Sequence, residues 1–227
     1  MKIKVCRICK SHNLENVASL GTMNFTGIFP KSKKEKIPKG KLGLIRCRKC
    51  SLLQLENNFN SELMYGDNYG YMSSLNNAME GHLKLKSKYL INNYNLKKNN
   101  FILDIGSNDG TFLKFFNSNF NLYGCDPTIK KFKKHYRKDV NIVPSFFSAN
   151  KFKNIKFDLI TCIAMFYDLP DPLKFTKDIK SLLNKNGICH IEMSYMPSMI
   201  NSNSYDTICH EHLEYYSIKS LKYLMNL

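Results

Sequence analysis

The segment Phe101-Ile-Leu-Asp-Ile-Gly-Ser-Asn-Asp-Gly-Thr111 decides the fold of this chain. Its first half is a short apolar run that stops at Gly106, which is typical of a buried parallel strand. Its second half is a polar, glycine-containing loop that opens a predicted helix over residues 111–117. A strand, a glycine loop and a helix in this order indicate an open α/β sheet, whose ligands bind beyond the carboxyl ends of its strands.

The same alternation of strands and helices continues on both sides of this segment. Helices are predicted over residues 77–96, 128–136 and 172–183, and another begins at Ser217. Further strands are predicted over residues 122–125, 140–143, 157–163 and 188–193, the last of them after a turn at Asn186-Gly187. Repeated strand–helix units with apolar strands predict a doubly wound, Rossmann-like parallel sheet.

The loop after the first strand favours a nucleoside ligand without phosphates. Asn108 stands where Gly-x-Gly-x-x-Gly has its second glycine, which lets a pyrophosphate approach the backbone. S-adenosylmethionine suits this acidic loop, because its positive ammonium and sulfonium groups are attracted by Asp104 or Asp109. Asp126 ends the second strand and can accept hydrogen bonds from both ribose hydroxyls, although a helix cap is the alternative. The predicted cofactor-binding residues are Asp104, Gly106, Ser107, Asn108, Asp109, Asp126 and Pro127.

Four cysteines near the start of the chain form two Cys-x-x-Cys pairs, followed by a short predicted strand over residues 52–55. Two such turns can present four sulfurs at ~2.3 Å from one Zn²⁺. Four thiolates leave no open coordination position, so this zinc is predicted to be structural. Two fortuitous thiol pairs or a redox site are the alternatives. The predicted metal ligands are Cys6, Cys9, Cys47 and Cys50.

These features predict three segments. Residues 1–56 form a zinc-binding domain, residues 57–76 a connecting segment, and residues 77–227 a domain that binds S-adenosylmethionine. Hydrophobic residues make up 43% of the sequence, which fits a globular core. No apolar run approaches the ~20 residues of a membrane span, and the start of the chain lacks a signal-peptide core. We therefore expect a cytoplasmic protein without a membrane partner, in which paired thiols favour metal over disulfide.

The formal net charge of +16 is compatible with nucleic-acid binding. The lysines are scattered, however, and the dense run over residues 31–41 has the prolines and glycine of a solvated loop. Positive charge would equally suit an anionic small substrate such as a nucleotide diphosphate. Nucleic acid is therefore the less favoured partner, and the sequence does not indicate an oligomeric state.

A cluster of proton-handling residues, His210-Glu211-His212, follows the fifth predicted strand. This position predicts that the cluster lies over the cofactor end of the sheet. A histidine near its unperturbed pKa of ~6.5 suits general-base catalysis at neutral pH. A second metal site and a hydrogen-bonded pair of structural histidines are the alternatives.

Taken together, the sequence resembles the nucleotide-sugar C-methyltransferases, a family of class I S-adenosylmethionine enzymes with an N-terminal zinc-binding domain. The resemblance runs from Cys6 to Tyr216. Its matching motifs are the cysteine quartet, Tyr69-Gly-Tyr-Met-Ser-Ser74, Gly106-Ser-Asn-Asp-Gly110, Asp126-Pro127 and His210-Glu-His212 with Tyr215-Tyr216.

The resemblance implies a role for three residues. His212 would be the main base, Glu211 would lie beside it, and Tyr71 would lie near the developing negative charge. The implied substrate is a keto sugar on a nucleotide diphosphate. A base removes a proton next to the ketone, and the enolate carbon then attacks the methyl group.

The sequence also departs from the family. Cys209 replaces a tyrosine just before His-Glu-His, and Asp168 replaces a histidine after the fourth strand, so methylation of a sugar oxygen stays an alternative. Family members continue with two more strands and a further domain, so we expect this chain to be truncated, with the C-terminal strands missing. An RNA methyltransferase and a truncated, non-catalytic zinc-binding remnant are further alternatives.

Overall fold

The computed structural model of this chain describes residues 1–66 and 69–227. Asp67 and Asn68, within the predicted connecting segment, lie outside the described residues. The chain forms two compact units. We name the first, comprising Met1–Gly70, Ala164–Lys177 and Glu192–Leu227, the cysteine unit. We name the second, comprising Tyr71–Ile163 and Asp178–Ile191, the glycine-loop unit.

The elements of the described chain are as follows. The strands are β1 (Leu14–Asn24), β2 (Lys39–Cys47), β3 (Leu53–Leu55), β4 (Phe101–Ile105), β5 (Asn121–Cys125), β6 (Val140–Val143), β7 (Phe157–Ile163), β8 (Leu183–Glu192) and β9 (Glu214–Tyr215). The α-helices are α1 (Ser61–Met64), α2 (Asn77–Asn93), α3 (Ile129–Phe132), α4 (Pro172–Leu182), α5 (Met196–Asn201) and α6 (Ile218–Met225). Short 3₁₀ turns occupy Ser73–Leu75, Leu113–Phe115, Lys133–His135, Ala149–Phe152, Phe166–Asp168 and Tyr205–Thr207.

The glycine-loop unit is built on a parallel sheet whose strand order, among the described residues, is β6-β5-β4-β7-β8. In the register of this sheet, Ile102 of β4 lies between Leu122 of β5 and Leu159 of β7. The chain moves from β4 outward to β5 and β6, and then returns to the other side of β4 for β7. The loop after β4 therefore lies at the point where the strand order reverses, where such sheets bind ligands. The predicted Rossmann-like parallel sheet is confirmed.

The core of the glycine-loop unit fixes the strand that carries this loop. Leu83 and Leu90 on one face of α2 belong to the same buried cluster as Ile102 and Leu122. Leu90, Ile102 and Leu122 are fully buried. Burying such a side chain contributes about 1.5–3 kcal/mol, so β4 is held firmly under the loop.

Two predicted helices are shorter than expected. The helix predicted over residues 111–117 was wrong in extent, because only the 3₁₀ turn Leu113–Phe115 forms there. The guanidinium of Arg137 donates to the carbonyls of Leu113 (3.4 Å), Lys114 (3.3 Å) and Phe116. A side chain thus satisfies carbonyls that a longer helix would have bonded internally. The helix predicted over 128–136 is divided into α3 and a 3₁₀ turn.

The turn predicted at Asn186-Gly187 was also wrong, because β8 runs through both residues. Gly187 is instead required for the close approach of two chain segments. A Cβ atom there would lie 2.6 Å from the carbonyl oxygen of Phe157 at the start of β7. Glycine therefore allows the two chain segments to approach closely.

The cysteine unit is built on an antiparallel sheet, with the order β1-β2-β3-β9 among the described residues. β1 and β2 form a long hairpin that the sequence analysis did not predict, whereas β3 lies within the predicted strand over residues 52–55. β9 comes from the far end of the chain and pairs with β3, so that Leu53 faces Tyr215 and Gln54 faces Glu214. Residues just after His212 thereby complete the sheet that adjoins the cysteines.

The helix predicted to begin at Ser217 is α6, and Ser217 caps it by accepting a hydrogen bond from the Ser220 amide. The helix predicted over residues 77–96 is α2, which ends at Asn93. Asn95 follows with a φ of 49°, in the left-handed region that terminates helices. In the part of the chain that the structure describes, no helix is long and apolar enough to cross a bilayer.

Candidate functional site

The glycine loop after β4 has a fixed, strained backbone. Gly106 and Gly110 each have a φ of 76°, and Asn108 has a φ of 49°. A Cβ atom at Gly110 would lie 2.8 Å from the Tyr136 ring. The Tyr136 hydroxyl donates to the Asn108 carbonyl at 2.9 Å and accepts from the Ser107 hydroxyl at 2.8 Å. Conformation and packing therefore both require glycine at position 110.

Asp126 joins this loop to the segment that follows β5. Its Oδ2 accepts a hydrogen bond from the Asn108 amide at 2.9 Å, and its Oδ1 accepts from the amide (2.7 Å) and hydroxyl (2.6 Å) of Thr128. Asp126 thus supports the turn before α3, but the N-cap residue of that helix is Thr128 rather than Asp126. Burial raises the pKa of Asp126. Pro127 follows directly, within the same turn.

Asp104 is the most strongly perturbed of the predicted cofactor-binding carboxylates. It is 4% exposed, and its Oδ1 accepts a hydrogen bond from the Thr161 hydroxyl at 2.6 Å. Burial raises the pKa of Asp104 to about 7, and the negative charge of Asp126 adds to the effect. A cation bound nearby would lower that pKa again.

The side chains of Asn108 and Asp109 hold the segment that contains Tyr71. Asn108 accepts from the Ser73 amide at 3.0 Å and donates to the Tyr71 carbonyl at 3.1 Å. Asp109 accepts from the Ser74 amide at 3.1 Å. The ring of Tyr71 itself is 43% exposed. Sequence reasoning assigned Asn108 and Asp109 to the cofactor and missed this positioning of Tyr71–Ser74.

The residues of the glycine-loop unit fit S-adenosylmethionine by charge. Asp104, Asp109 and Asp126 are buried, and their hydrogen bonds described above come from hydroxyl groups and backbone amides. Burial of carboxylates beside neutral donors favours a cationic ligand that offsets their charge. The ammonium and sulfonium groups of S-adenosylmethionine have that charge, and Asp104 and Asp126 would hold the cofactor at the switch point of the sheet.

The four predicted metal ligands form one compact cluster in the cysteine unit. Their sulfur atoms all lie within 4.8 Å of one another, and the closest approaches, Cys6 to Cys50 and Cys9 to Cys47, are both 3.5 Å. These distances exceed the ~2.05 Å of a disulfide. A tetrahedron of Zn–S bonds of ~2.3 Å requires sulfurs about 3.8 Å apart. The cluster therefore fits a structural zinc ion.

Local hydrogen bonds favour the thiolate at Cys6, whereas the hydrogen bond with Cys6 raises the pKa of Cys50 and burial raises the pKa of Cys9 to about 11. The contact with Cys50 lowers the pKa of Cys6 to about 5 against the effect of burial, and the amides of Ile8 and Cys9 also lower it. Thiolate is the form that binds zinc. Three of the four cysteines are buried, so the site is closed to substrate.

His212 has the tautomer of a general base. Its Nδ1 lies 2.8 Å from the carbonyl oxygen of Thr207. A carbonyl can only accept, so Nδ1 carries the proton and Nε2 of the neutral ring carries the lone pair that can accept one. Burial lowers the pKa of His212, although Thr207 and the charge of Glu211 act in the opposite direction. The Tyr167 ring packs edge-on against the imidazole, with centroids 4.3 Å apart.

Within the cysteine unit, His212 lines a cavity of ~10 Å³, which has room for one water molecule. Its other lining residues are Tyr167, Ser194, Met199, Thr207, Glu214 and Tyr215. A carboxyl group and a phenol thus lie around the same small space as the imidazole.

Glu211 is held by the segment that precedes the lysine-rich loop. The hydroxyl of Thr26 donates to its carboxylate. A Cβ atom at Gly27 would lie 2.3 Å from Glu211 Oε1, so glycine is needed there to admit the carboxylate. The sequence analysis did not single out either residue.

The other histidine of the motif, His210, is structural. It is fully buried, and its Nε2 donates to the Gly40 carbonyl at 3.1 Å. Its ring packs against Phe25 and Phe59, with both centroid distances at 4.8 Å. The structural-histidine alternative therefore holds for His210.

Two buried charged side chains within the motifs were missed by sequence reasoning, because each stands at a position that the motif pattern leaves unspecified. Arg7 and Glu214, at 3% and 1% exposure, form an ion pair at 3.4 Å.

Asp168, one of the departures from the family pattern, accepts a hydrogen bond from the Tyr65 hydroxyl at 2.8 Å. Burial raises the pKa of Asp168 well above its ordinary range. Burial also raises the pKa of Cys209, the other departure, to about 12.

The predicted site residues fall into two groups. The glycine loop, Asp104, Asp126, Pro127 and Tyr71 belong to the glycine-loop unit, and the cysteines, Glu211 and His212 belong to the cysteine unit.

Comparisons with known proteins match two parts of the chain. A methyltransferase-domain model matches residues 79–227, and a zinc-binding-domain model matches residues 6–65. The chain is 24% identical over 238 residues to C-methyltransferase NovU of Streptomyces niveus, an alignment that covers 96% of this chain and 54% of that protein. The chain therefore spans about half the length of this relative.

Two further likenesses cover less of the chain. It is 33% identical over 111 residues to tRNA U34 carboxymethyltransferase of Campylobacter jejuni, which covers 42% of this chain and 35% of that protein. Its fold is similar to the structure of the plantazolicin methyltransferase BpumL in complex with SAH, with a TM-score of 0.52 and 15% identity over 65% of this chain and 61% of that one.

Proposed function

The chain belongs to the methyltransferase-domain family, and on this premise we propose that it transfers a methyl group from S-adenosylmethionine to a nucleotide-linked sugar, at a carbon next to a keto group. The observation that supports a base-assisted transfer is the hydrogen bond from His212 Nδ1 to Thr207, and the choice of carbon is supported by the similarity to C-methyltransferase NovU. That bond leaves Nε2 as the acceptor, which is what removal of a carbon-bound proton requires.

Five residues of the chain have distinct roles in the proposed reaction. Asp104 and Asp126 bind the cationic cofactor, which supplies an electrophilic methyl group when bound. His212 Nε2 takes the proton from the carbon beside the ketone, and its ring becomes a cation. Glu211, next in the chain, stabilises that cation. Tyr71 would donate a hydrogen bond to the enolate oxygen. With S-adenosylmethionine bound, the enolate carbon would take the methyl group as the bond from that methyl to the sulfonium sulfur breaks, which leaves S-adenosylhomocysteine as the neutral thioether product.

The similarity to C-methyltransferase NovU, which extends over 96% of this chain, supports transfer to carbon. The sugar substrate is proposed from the resemblance of the sequence motifs to the nucleotide-sugar C-methyltransferases. The net charge of +16 supports an anionic substrate such as a nucleotide diphosphate. The cytoplasm, where nucleotide sugars and reduced thiols occur together, is the proposed location.

Hydrogen–deuterium exchange would test this proposal before any methyl transfer. Wild-type protein incubated in D₂O with keto nucleotide sugars should incorporate deuterium next to the ketone, and His212→Asn should lower that rate at least 100-fold. The exchange rate of the wild type should rise with pH and reach its plateau at a pH below ~6.5, the ordinary pKa of histidine. The reason is that burial lowers the pKa of His212. Mass spectrometry would then locate the methyl group after S-adenosylmethionine is added.

Retention of full exchange by His212→Asn would refute His212 as the base. Methylation of reduced sugars only, with no exchange, would exclude carbon methylation and leave sugar oxygen as the acceptor.

A tRNA base is the second candidate substrate. It is favoured by the similarity to tRNA U34 carboxymethyltransferase and by the positive net charge. That similarity covers 42% of this chain, so we rank it below a sugar. Transfer of labelled methyl groups to bulk tRNA, with affinity that falls steeply with salt, would reverse this ranking.

A further inference from the structure

Arg7 stands inside the first cysteine turn, between two of the zinc ligands, yet its side chain points into the protein and is 3% exposed. Its guanidinium donates to the carbonyls of Leu55 at 2.7 Å and Asn57 at 3.0 Å, and to the side chain of Asn58 at 2.6 Å. These bonds fix the guanidinium relative to the cysteine turn and to the end of β3.

The same guanidinium reaches the strand that follows the proposed base. Its Nη1 lies 3.4 Å from the carbonyl oxygen of Leu213, and its Nε lies 3.4 Å from Oε1 of Glu214. Both side chains of the Arg7–Glu214 pair are almost fully buried. Removing one member of a buried pair is strongly destabilising, because the other side chain is left buried without its partner.

His212 is directly attached to this strand. It precedes Leu213 in the chain, and its imidazole lines the same cavity as Glu214. The Leu213 amide donates to the Tyr167 carbonyl at 2.7 Å, and Tyr167 is the residue whose ring packs against the imidazole. A shift of Leu213 or Glu214 would therefore move the imidazole as well.

We propose that Arg7 is a positioning residue that couples zinc binding to the placement of His212. Bound zinc would fix the conformation of the turn Cys6–Cys9, and this turn orients the side chain of Arg7. Arg7 in turn contacts Leu213 and Glu214, and these residues determine the position of His212. The role of the metal then extends beyond stabilising its own domain. This inference rests on the proposed function only where it calls His212 a base; the coupling itself concerns structure.

The second cysteine turn supplies a matched control. Arg48 follows Cys47 as Arg7 follows Cys6. Its side chain is 62% exposed and pairs with Glu15 at 2.7 Å. Arg48→Gln removes the same charge next to a zinc ligand without touching β9.

The experiment compares Arg7→Gln, Arg48→Gln and Glu214→Gln with the full wild-type chain. Zinc content is measured by chelator-coupled release, cofactor affinity by calorimetry, and the state of His212 by the NMR resonance of its ring Cε1–H group, assigned with His212→Asn. We expect one zinc per chain in all three variants and cofactor affinity within about twofold of wild type. The His212 resonance should shift in Arg7→Gln and Glu214→Gln and stay in place in Arg48→Gln.

Two further measurements test the same coupling. Zinc-free wild type should move the His212 resonance in the same direction as Arg7→Gln does. The kcat for methyl transfer should fall at least tenfold in Arg7→Gln with little change in the KM for S-adenosylmethionine.

An unmoved His212 resonance in Glu214→Gln would overturn the proposal even if Arg7→Gln failed to fold, since residue 214 lies far from the metal in sequence. An equal shift in Arg48→Gln would also overturn it. If wild type proved inactive on every nucleotide sugar, the proposed function would fail, and the NMR comparison would still decide the coupling.

Discussion

Asp104→Asn should stabilise the protein at alkaline pH while it removes a proposed cofactor ligand. The carboxyl group is 4% exposed, and burial raises its pKa from 3.8 to about 7. A raised pKa means that the folded state binds the proton more tightly than the unfolded state does. The contribution of this group to stability is therefore complete below pH 3.8 and is lost as pH rises through about 7.

The size of the effect follows from the two pKa values. Between pH 5 and pH 8, the free energy of unfolding of the wild type should fall by roughly 2–3 kcal/mol relative to Asp104→Asn. Asparagine keeps an oxygen that can accept the 2.6 Å hydrogen bond from Thr161. The comparison therefore isolates the titrating carboxyl.

The assay is urea unfolding of both proteins without cofactor at pH 5, 6, 7 and 8. Asp139→Asn is the control of opposite sign, because the hydrogen bond from Arg137 lowers the pKa of Asp139. Its difference from wild type should change only at more acidic pH, where the stabilising charge is lost. A stability difference for Asp104→Asn that stays constant from pH 5 to pH 8 would refute the reasoning. The variant should also bind S-adenosylmethionine at least tenfold more weakly at pH 8.

Three other substitutions each test a contact or a metal ligand within one of the two units. Gly110→Ala should lower the free energy of unfolding by about 1–3 kcal/mol or more, because its φ is 76° and its Cβ would lie 2.8 Å from Tyr136; unchanged urea unfolding would contradict this. Cys50→Ser should abolish stoichiometric zinc, measured by atomic absorption, since the thiol is 1% exposed within the four-sulfur cluster; full zinc content would count against this ligand. Tyr65→Phe removes the donor to the buried Asp168 and should cost about 1–3 kcal/mol in thermal unfolding, so a variant as stable as wild type would show that this hydrogen bond contributes nothing.

The sheet of the glycine-loop unit could be predicted because its signals are local. A buried apolar run followed by Gly106 needs no knowledge of the rest of the chain, and the strands over 140–143 and 157–163 have the predicted bounds. The helix after the loop could not be bounded in the same way. Its end depends on Arg137, a side chain more than 20 residues further along that bonds the carbonyls of this turn.

The β1–β2 hairpin escaped prediction for a different reason. Most residues of β1 are exposed, so its sequence lacks the alternation of apolar and polar residues that marks a half-buried strand. The Arg7–Glu214 pair was equally invisible, because a buried ion pair leaves no periodic pattern. The cysteines and His212 were found because their residue types and spacing carry chemistry on their own.

The pairing of Leu53 with Tyr215 has a consequence for how the protein is made. A ribosome releases β3 long before β9, the strand that pairs with it, has been synthesised. Contacts between such distant segments form slowly, because the entropy of closing a long loop is lost before strand pairing contributes any stabilising free energy. During translation the cofactor-binding sheet should therefore fold ahead of the edge that orders His212, and the nascent chain should gain affinity for S-adenosylmethionine before it can remove a proton.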